Sequence, residues 1–161
     1  MLPLILCIVV TVLDQGTKWF VREHIAYGEL IEVIPGFMNL THLTNTGAAW
    51  GMFSSQNLSL TVLSVVMLAL MVIFRRSFLS DTLWHRIALG LLCGGIIGNL
   101  VDRIKLRGVT DFLDFYAGGW HWPSFNVADS AICVGVSIYI VTTLLESRRE
   151  ATPGEADEPS A

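Results

Sequence analysis

The chain has 161 residues, 53% of them hydrophobic and 15% charged, with a mean hydropathy of +0.59. Such a composition excludes an ordinary soluble domain and points to an integral membrane protein. The net charge of −4 is concentrated at the C-terminus, and no basic patch with interleaved aromatics argues for a nucleic-acid partner.

The first apolar run, about Leu2–Val21, is close to the ~20 residues a membrane span needs. No basic residue precedes it, and Asp14 and Lys18 interrupt the place where a cleavage site would follow. "LILC" also lacks the small residues of a lipid-attachment site. The run therefore reads as a retained span, not a signal peptide. Asp14 and Lys18 stand four apart with the acid first, the favourable order for a helical ion pair, which gives them a structural reading.

The next segment, "ELIEVIPGFMNLTHLTNTGAAWGMF", has no helical period. Ile31 and Val33, then Phe37, Met38, Leu40 and Leu43, flank Pro35-Gly36 and predict two short strands in a β-rich region of about 25–56. An unpaired sheet edge cannot lie in lipid, so this region belongs on the membrane surface, against the helices.

Two further apolar runs, about Leu58–Phe74 and Trp84–Val101, are joined by a short turn, "RRSFLSDTL". In the third run Gly90, Gly94 and Gly98 recur every four residues and Asp102 continues the stripe, a pattern that lets a neighbouring helix approach closely. Asn99, Asp102 and Arg103 close that run. The connection after it carries Asp111 and Asp114 among Phe112, Phe115, Tyr116, Trp120, Trp122 and Phe125, aromatics suited to interfacial anchoring.

The fourth run, about Val127–Leu145, opens on Asn126 and Asp129, and Ala131 and Gly135 repeat the small-residue spacing. Asn126 as an N-cap with Asp129 at the third helical position is one sufficient account of that pair. Residues 148–161, rich in Pro, Glu and Ala, read as a disordered tail after a membrane domain of residues 1–147. Cys7, Cys93 and Cys133 lie inside apolar runs and read as small buried hydrophobes.

Four spans place both chain ends on one side. Basic residues divide five against five between the two sides, so the positive-inside rule does not choose an orientation. The polar groups do collect: the first and third runs end, and the fourth begins, at the same membrane face. Ionisable groups there are costly and tend to be functional. Two carboxylates brought close cannot both ionise easily, and one proton is shared between them. Such a pair can activate a water while protonating a carbonyl oxygen. Spacing alone does not choose between Asp111 and Asp114 as a partner for Asp129. His24, His42, His85 and His121 are scattered without ligand spacing, so neither a metal nor a cofactor is expected. A proton relay through Asp14, Asp102 and Asp129 would spread acids through the bilayer, but these gather at one end. A noncatalytic scaffold would explain the glycines and leave the acids unexplained.

Five blocks in order carry a resemblance: "DQGTK" at 14–18, "NTGAAWGMF" at 45–53, "GGIIGNLVDR" at 94–103, "GVTDFLDF" at 108–115 and "FNVADS" at 125–130. With them the sequence resembles the bacterial lipoprotein signal peptidases (signal peptidase II), to about Ser147. Trp50 departs from the family's usual Phe. The resemblance implies an all-α polytopic membrane protein with four transmembrane helices, a small extracytoplasmic β-cradle and cytoplasmic termini. It implies an aspartic endopeptidase of the bacterial cytoplasmic membrane, with Asp111 and Asp129 as catalytic dyad near the outer face. Asn45, Gly47, Asn99, Asp102, Arg103 and Asn126 match positions that line or shape the family's site, and Asp14 one that matters for stability. The implied substrate is a diacylglyceryl-modified prolipoprotein, cut before its lipidated cysteine. Membrane lipid and inhibition by the cyclic peptide globomycin complete the implied partners.

Overall fold

The structure, a computed structural model, describes residues 1–47, 56–74 and 82–151. In chain order these form α1 (Leu2–His24), β1 (Leu30–Ile34), β2 (Met38–Asn45), α2 (Asn57–Ile73), α3 (Leu83–Leu106), β3 (Val109–Ala117), β4 (Trp120–His121) and α4 (Val127–Ala151). Trp50, the turn after α2 and the end of the tail lie outside the described residues.

Three of the helices, α1, α3 and α4, are long and apolar enough to cross a membrane. The helix α2 covers the second expected run, Leu58–Phe74, but has 17 residues, slightly under the ~20 of a full crossing. Pro3 stands in the first turn of α1, where its missing N–H costs nothing. Thr82 caps α3 by accepting from the His85 N–H, and α3 stops at Arg107, which takes the left-handed conformation (φ 59°) before the chain turns into β3.

The helix α3 packs along both α1 and α4, and its glycines divide the work. A methyl group at Gly90 would meet Leu6 Cβ at 2.7 Å, and one at Gly94 would meet Val10 Cβ at 2.7 Å, so this edge of the stripe belongs to α1. Gly95, which the stripe does not include, faces α4: a methyl group there would stand 2.5 Å from the Ala128 carbonyl oxygen. The repeated glycines are packing residues, as their spacing predicts.

The sheet differs from expectation. The hairpin β1–β2 forms around Pro35-Gly36 as predicted, with Gly36 at φ +75°. But the sheet has four antiparallel strands in the order β1-β2-β3-β4, and β3 and β4 come from the second long connection. The β structure is thus not confined to residues 25–56. Val21 and Ile25 at the end of α1 form an apolar cluster with Phe112 of β3, against Leu40, Leu113 and Val127. This cluster seats the sheet on the helix ends.

Two smaller corrections follow. The helix α4 continues to Ala151, so the stretch after Ser147 begins as helix and not as a disordered tail. Cys133 is exposed rather than buried, and Cys7 and Cys93 are half-buried. For a chain of this hydropathy the surroundings of such a surface are hydrocarbon, and an exposed thiol there is no anomaly.

Candidate active site

The C-terminal ends of α1 and α3, the N-terminal end of α4 and the inner strands of the sheet meet at one place. Asn45, Gly47, Asn99, Arg103, Asp111 and Asp129 line a cavity of about 860 Å³ there. The polar residues singled out from the sequence are therefore brought together, with one exception: Asp114.

Asp111 and Asp114 stand three apart on one strand, and odd and even positions of a strand face opposite ways. Asp111 lines the cavity. Asp114 is buried elsewhere, accepting from Asn39 Nδ2 at 2.8 Å and paired with His121 Nδ1 at 2.8 Å. The sheet thus puts Asp111, and not Asp114, on the cavity that Asp129 also lines.

Asp111 receives two amides: Asn126 Nδ2 donates to Oδ1 at 2.7 Å and Asn45 Nδ2 to Oδ2 at 3.0 Å. Asn45 is fixed in turn by the Gly47 N–H, which donates to its Oδ1 at 2.9 Å. Asp129 also receives two donors, Asn99 Nδ2 at 2.7 Å and the Asn126 N–H at 3.2 Å. The Asp129 N–H donates back to Asn126 Oδ1 at 3.0 Å, which closes a reciprocal capping box at the start of α4. The capping arrangement expected of Asn126 and Asp129 is therefore also what fixes where the Asp129 carboxyl points. Asn126 holds both carboxyl groups, one through its side chain and one through its backbone.

Asp111 is 3% exposed, and burial, reinforced by the charge of Asp129, pushes its carboxyl up to about 7. The amides of Asn45 and Asn126 and the Lys18 charge pull the other way without cancelling the rise. Arg103 Nη2 donates to the Gly47 carbonyl oxygen at 3.1 Å, while its Nη1 is buried with no hydrogen-bond partner among the described residues.

A second polar group underlies the first. Lys18 Nζ lies 2.8 Å from Asp14 Oδ2, and both side chains are fully buried. The same ammonium donates to Asn99 Oδ1 at 2.8 Å and stands 3.7 Å from Asp102 Oδ2. Asp14 Oδ1 accepts the Ala128 N–H at 2.9 Å, which ties α1 to the first turn of α4. Asp102 accepts the Thr110 N–H at 3.0 Å and lies 3.6 Å from Arg22, tying α3 to β3. The expected helical ion pair is present, and Asp102 is paired, not solvated.

Sequence reasoning missed Gln15 and Arg22. Gln15 Nε2 reaches Asp14 Oδ2, the Gly98 carbonyl oxygen and Asp102 Oδ1 at 3.0–3.2 Å. Arg22 donates to Thr110 Oγ1 at 3.0 Å. Their signal was available: with Lys18 they add polar groups at i+1 and i+8 from Asp14, near a helix face that a lipid-exposed span would fill with hydrocarbon. Among the described residues no His, Cys, Asp or Glu group has the grouping of a metal site.

The family model for Signal peptidase (SPase) II matches residues 6–145. A lipoprotein signal peptidase from Nitratidesulfovibrio vulgaris is 44% identical, covering 84% of this chain and 85% of its own. One from Symbiobacterium thermophilum is 40% identical, over 92% of this chain and 98% of its own. A bacterial membrane enzyme structure solved by the in meso method at 2.3 Å resolution superposes with a TM-score of 0.83 at 31% identity, covering 98% of this chain and 94% of that one.

Proposed function

The chain belongs to the signal peptidase II family, peptidases that remove signal peptides from prolipoproteins, and from that premise we propose that it is an aspartic endopeptidase whose reacting groups are Asp111 and Asp129. The observation that carries this reading is Asn126, which hydrogen-bonds Asp111 Oδ1 with its amide and Asp129 Oδ2 with its backbone N–H. Two carboxyl groups from separate elements are thereby presented to one cavity.

The pair holds a single proton near neutral pH, and Asp111, raised to about 7, carries it. A water between the two groups loses a proton to Asp129 as its oxygen attacks the scissile carbonyl carbon. Asp111 protonates the carbonyl oxygen, giving a neutral tetrahedral intermediate. When the C–N bond breaks, the proton on Asp129 passes to the leaving nitrogen, and Asp111 recovers its proton from the collapsing hydroxyl. Arg103 Nη1 offers a buried donor to a substrate oxygen.

The substrate is a prolipoprotein carrying diacylglycerol on the cysteine that becomes the new N-terminus, and the cut falls before that cysteine. The protein lies in the bacterial inner membrane with α2 as a fourth crossing and termini in the cytoplasm. The cavity then opens near the extracytoplasmic face, with the sheet as a cradle on that side and the lipid chains left in the bilayer. A globomycin-type cyclic peptide occupies the same cavity. Cleavage of a diacylglyceryl-modified prolipoprotein by purified protein tests the reading. Asp111→Asn and Asp129→Asn should each lower the rate by ~10²–10⁴-fold with the fold retained. Normal cleavage by either variant refutes the dyad.

A further inference from the structure

We propose that Lys18 is a positioning residue for the reaction: by holding Asn99 Oδ1 it turns the Asn99 amide so that Nδ2 faces Asp129. The proposal rests on Asp111 and Asp129 being the reacting pair. An ammonium has donors and no acceptor, so the oxygen is the only end of an amide it can hold. Lys18 Nζ donates to that oxygen at 2.8 Å. The nitrogen is thereby sent the other way, and it donates to Asp129 Oδ1 at 2.7 Å. Turned by half a rotation, Asn99 would set a carbonyl oxygen against a carboxylate oxygen, and Asp129 would lose one of its two orienting bonds.

Lys18 itself cannot swing. Its side chain is fully buried, 2.8 Å from Asp14 Oδ2 on its own helix and 3.7 Å from Asp102 Oδ2 on α3. The helix α1 therefore reaches the reacting pair through α3 without touching a reacting atom. An ion pair that served only to join helices would have no need of the third bond, to Asn99.

Lys18 also acts by charge. It faces Asp14, Asn99 and Asp102. Asp111 faces Asp129 from α4, Asn126 ahead of that helix, Asn45 from β2 and the Arg103 guanidinium from α3, and the Lys18 ammonium is a further charge that holds its carboxyl down. Removing that ammonium should move the alkaline limb of the pH–rate profile upward. A residue that acted only on stability would leave the limb in place.

The test uses Asp14→Asn as reference, because it removes the carboxylate that a Lys18 substitution would leave buried and unpaired. Against it stand Asp14→Asn/Lys18→Met and Asp14→Asn/Lys18→Gln. Each is assayed for kcat, KM and pH profile on a diacylglyceryl-modified prolipoprotein, with thermal unfolding to confirm the fold. The methionine variant should lose ~10²-fold in kcat with KM within about threefold, the penalty of a misaimed catalytic group. Glutamine keeps a donor but no charge. It should recover kcat to within about tenfold of the reference while its alkaline limb stays displaced to higher pH. A folded methionine variant with reference kcat overturns the proposal, as does a loss that glutamine does not recover. If the methionine variant fails to fold, glutamine decides alone, and an undisplaced limb overturns the proposal. Cleavage by Asp111→Asn or Asp129→Asn in the same assay would instead remove the dyad reading beneath it.

Discussion

Two pairs of carboxylates, all buried but the half-buried Asp129, lie next to each other and are treated differently. Asp14 and Asp102 are met by cations, Lys18 at 2.8 Å and 3.7 Å and Arg22 at 3.6 Å. Asp111 and Asp129 are met by neutral donors, the amides of Asn45, Asn99 and Asn126 and one backbone N–H. A cation beside a carboxylate cancels its charge, and the pair becomes a joint between elements: α1 to α4, and α3 to β3. An amide fixes where a carboxylate points and leaves its proton exchangeable. Under the proposed function, neighbouring acids thus serve assembly or chemistry according to the partners that meet them.

Four changes would break or sharpen that contrast. The largest effect is expected from Lys18→Met alone, which strips the joint of its ammonium and leaves Asp14 and Asp102 buried together. Loss of one partner from a buried pair costs ~3–5 kcal/mol, to be read as a large fall in Tm in detergent. Next comes the pH dependence of stability. Asp111 stands at about 7 in the folded protein against ~3.9 for an unfolded Asp. Its contribution is full below the lower value and is lost as pH rises to the upper one, a decline on the order of a few kcal/mol. Denaturation between pH 4 and 7 should show that decline in wild type and a flatter line in Asp111→Asn. Gly98→Ala comes third. Its methyl group would stand 2.5 Å from Asp14 Oδ2, and overpacking at such a contact costs ~1–3 kcal/mol, measured as lowered Tm. Smallest is Asp114→Asn, which weakens the contacts to Asn39 and His121 outside the cavity. A stability loss of ~1 kcal/mol is expected, with cleavage within about threefold of wild type; abolished cleavage would contradict the division of roles between the two acids of β3.

The legible parts of the fold were those whose partners are near in sequence or whose pattern repeats. Pro35-Gly36 announced the hairpin, the glycines announced a close helix contact along α3 without naming its partner, and the four-residue offset announced the Asp14–Lys18 pair. The strand β3 was hidden because it pairs inside the sheet with distant β2 and carries an acid on each face, Asp111 on one and Asp114 on the other. No apolar–polar alternation survives there to be read. For the same reason Asp111 and Asp114 could be told apart by family likeness or by the sheet, and not by spacing. Gly95 was missed because its partner, Ala128, lies on a helix whose approach only the tertiary structure gives. The amide wiring of Asn99 and Asn126 depends on side-chain orientation and has no trace in residue order.

The capping box at the start of α4 has a consequence for how this protein fails. The bonds that begin the helix are the ones that aim Asp129, so with Asp129 in the proposed dyad, fraying of its first turn and inactivation are a single event. Heat or solvent that loosens a few residues there should silence the enzyme well before the bundle melts, and activity would report the health of one helix end and not of the whole molecule.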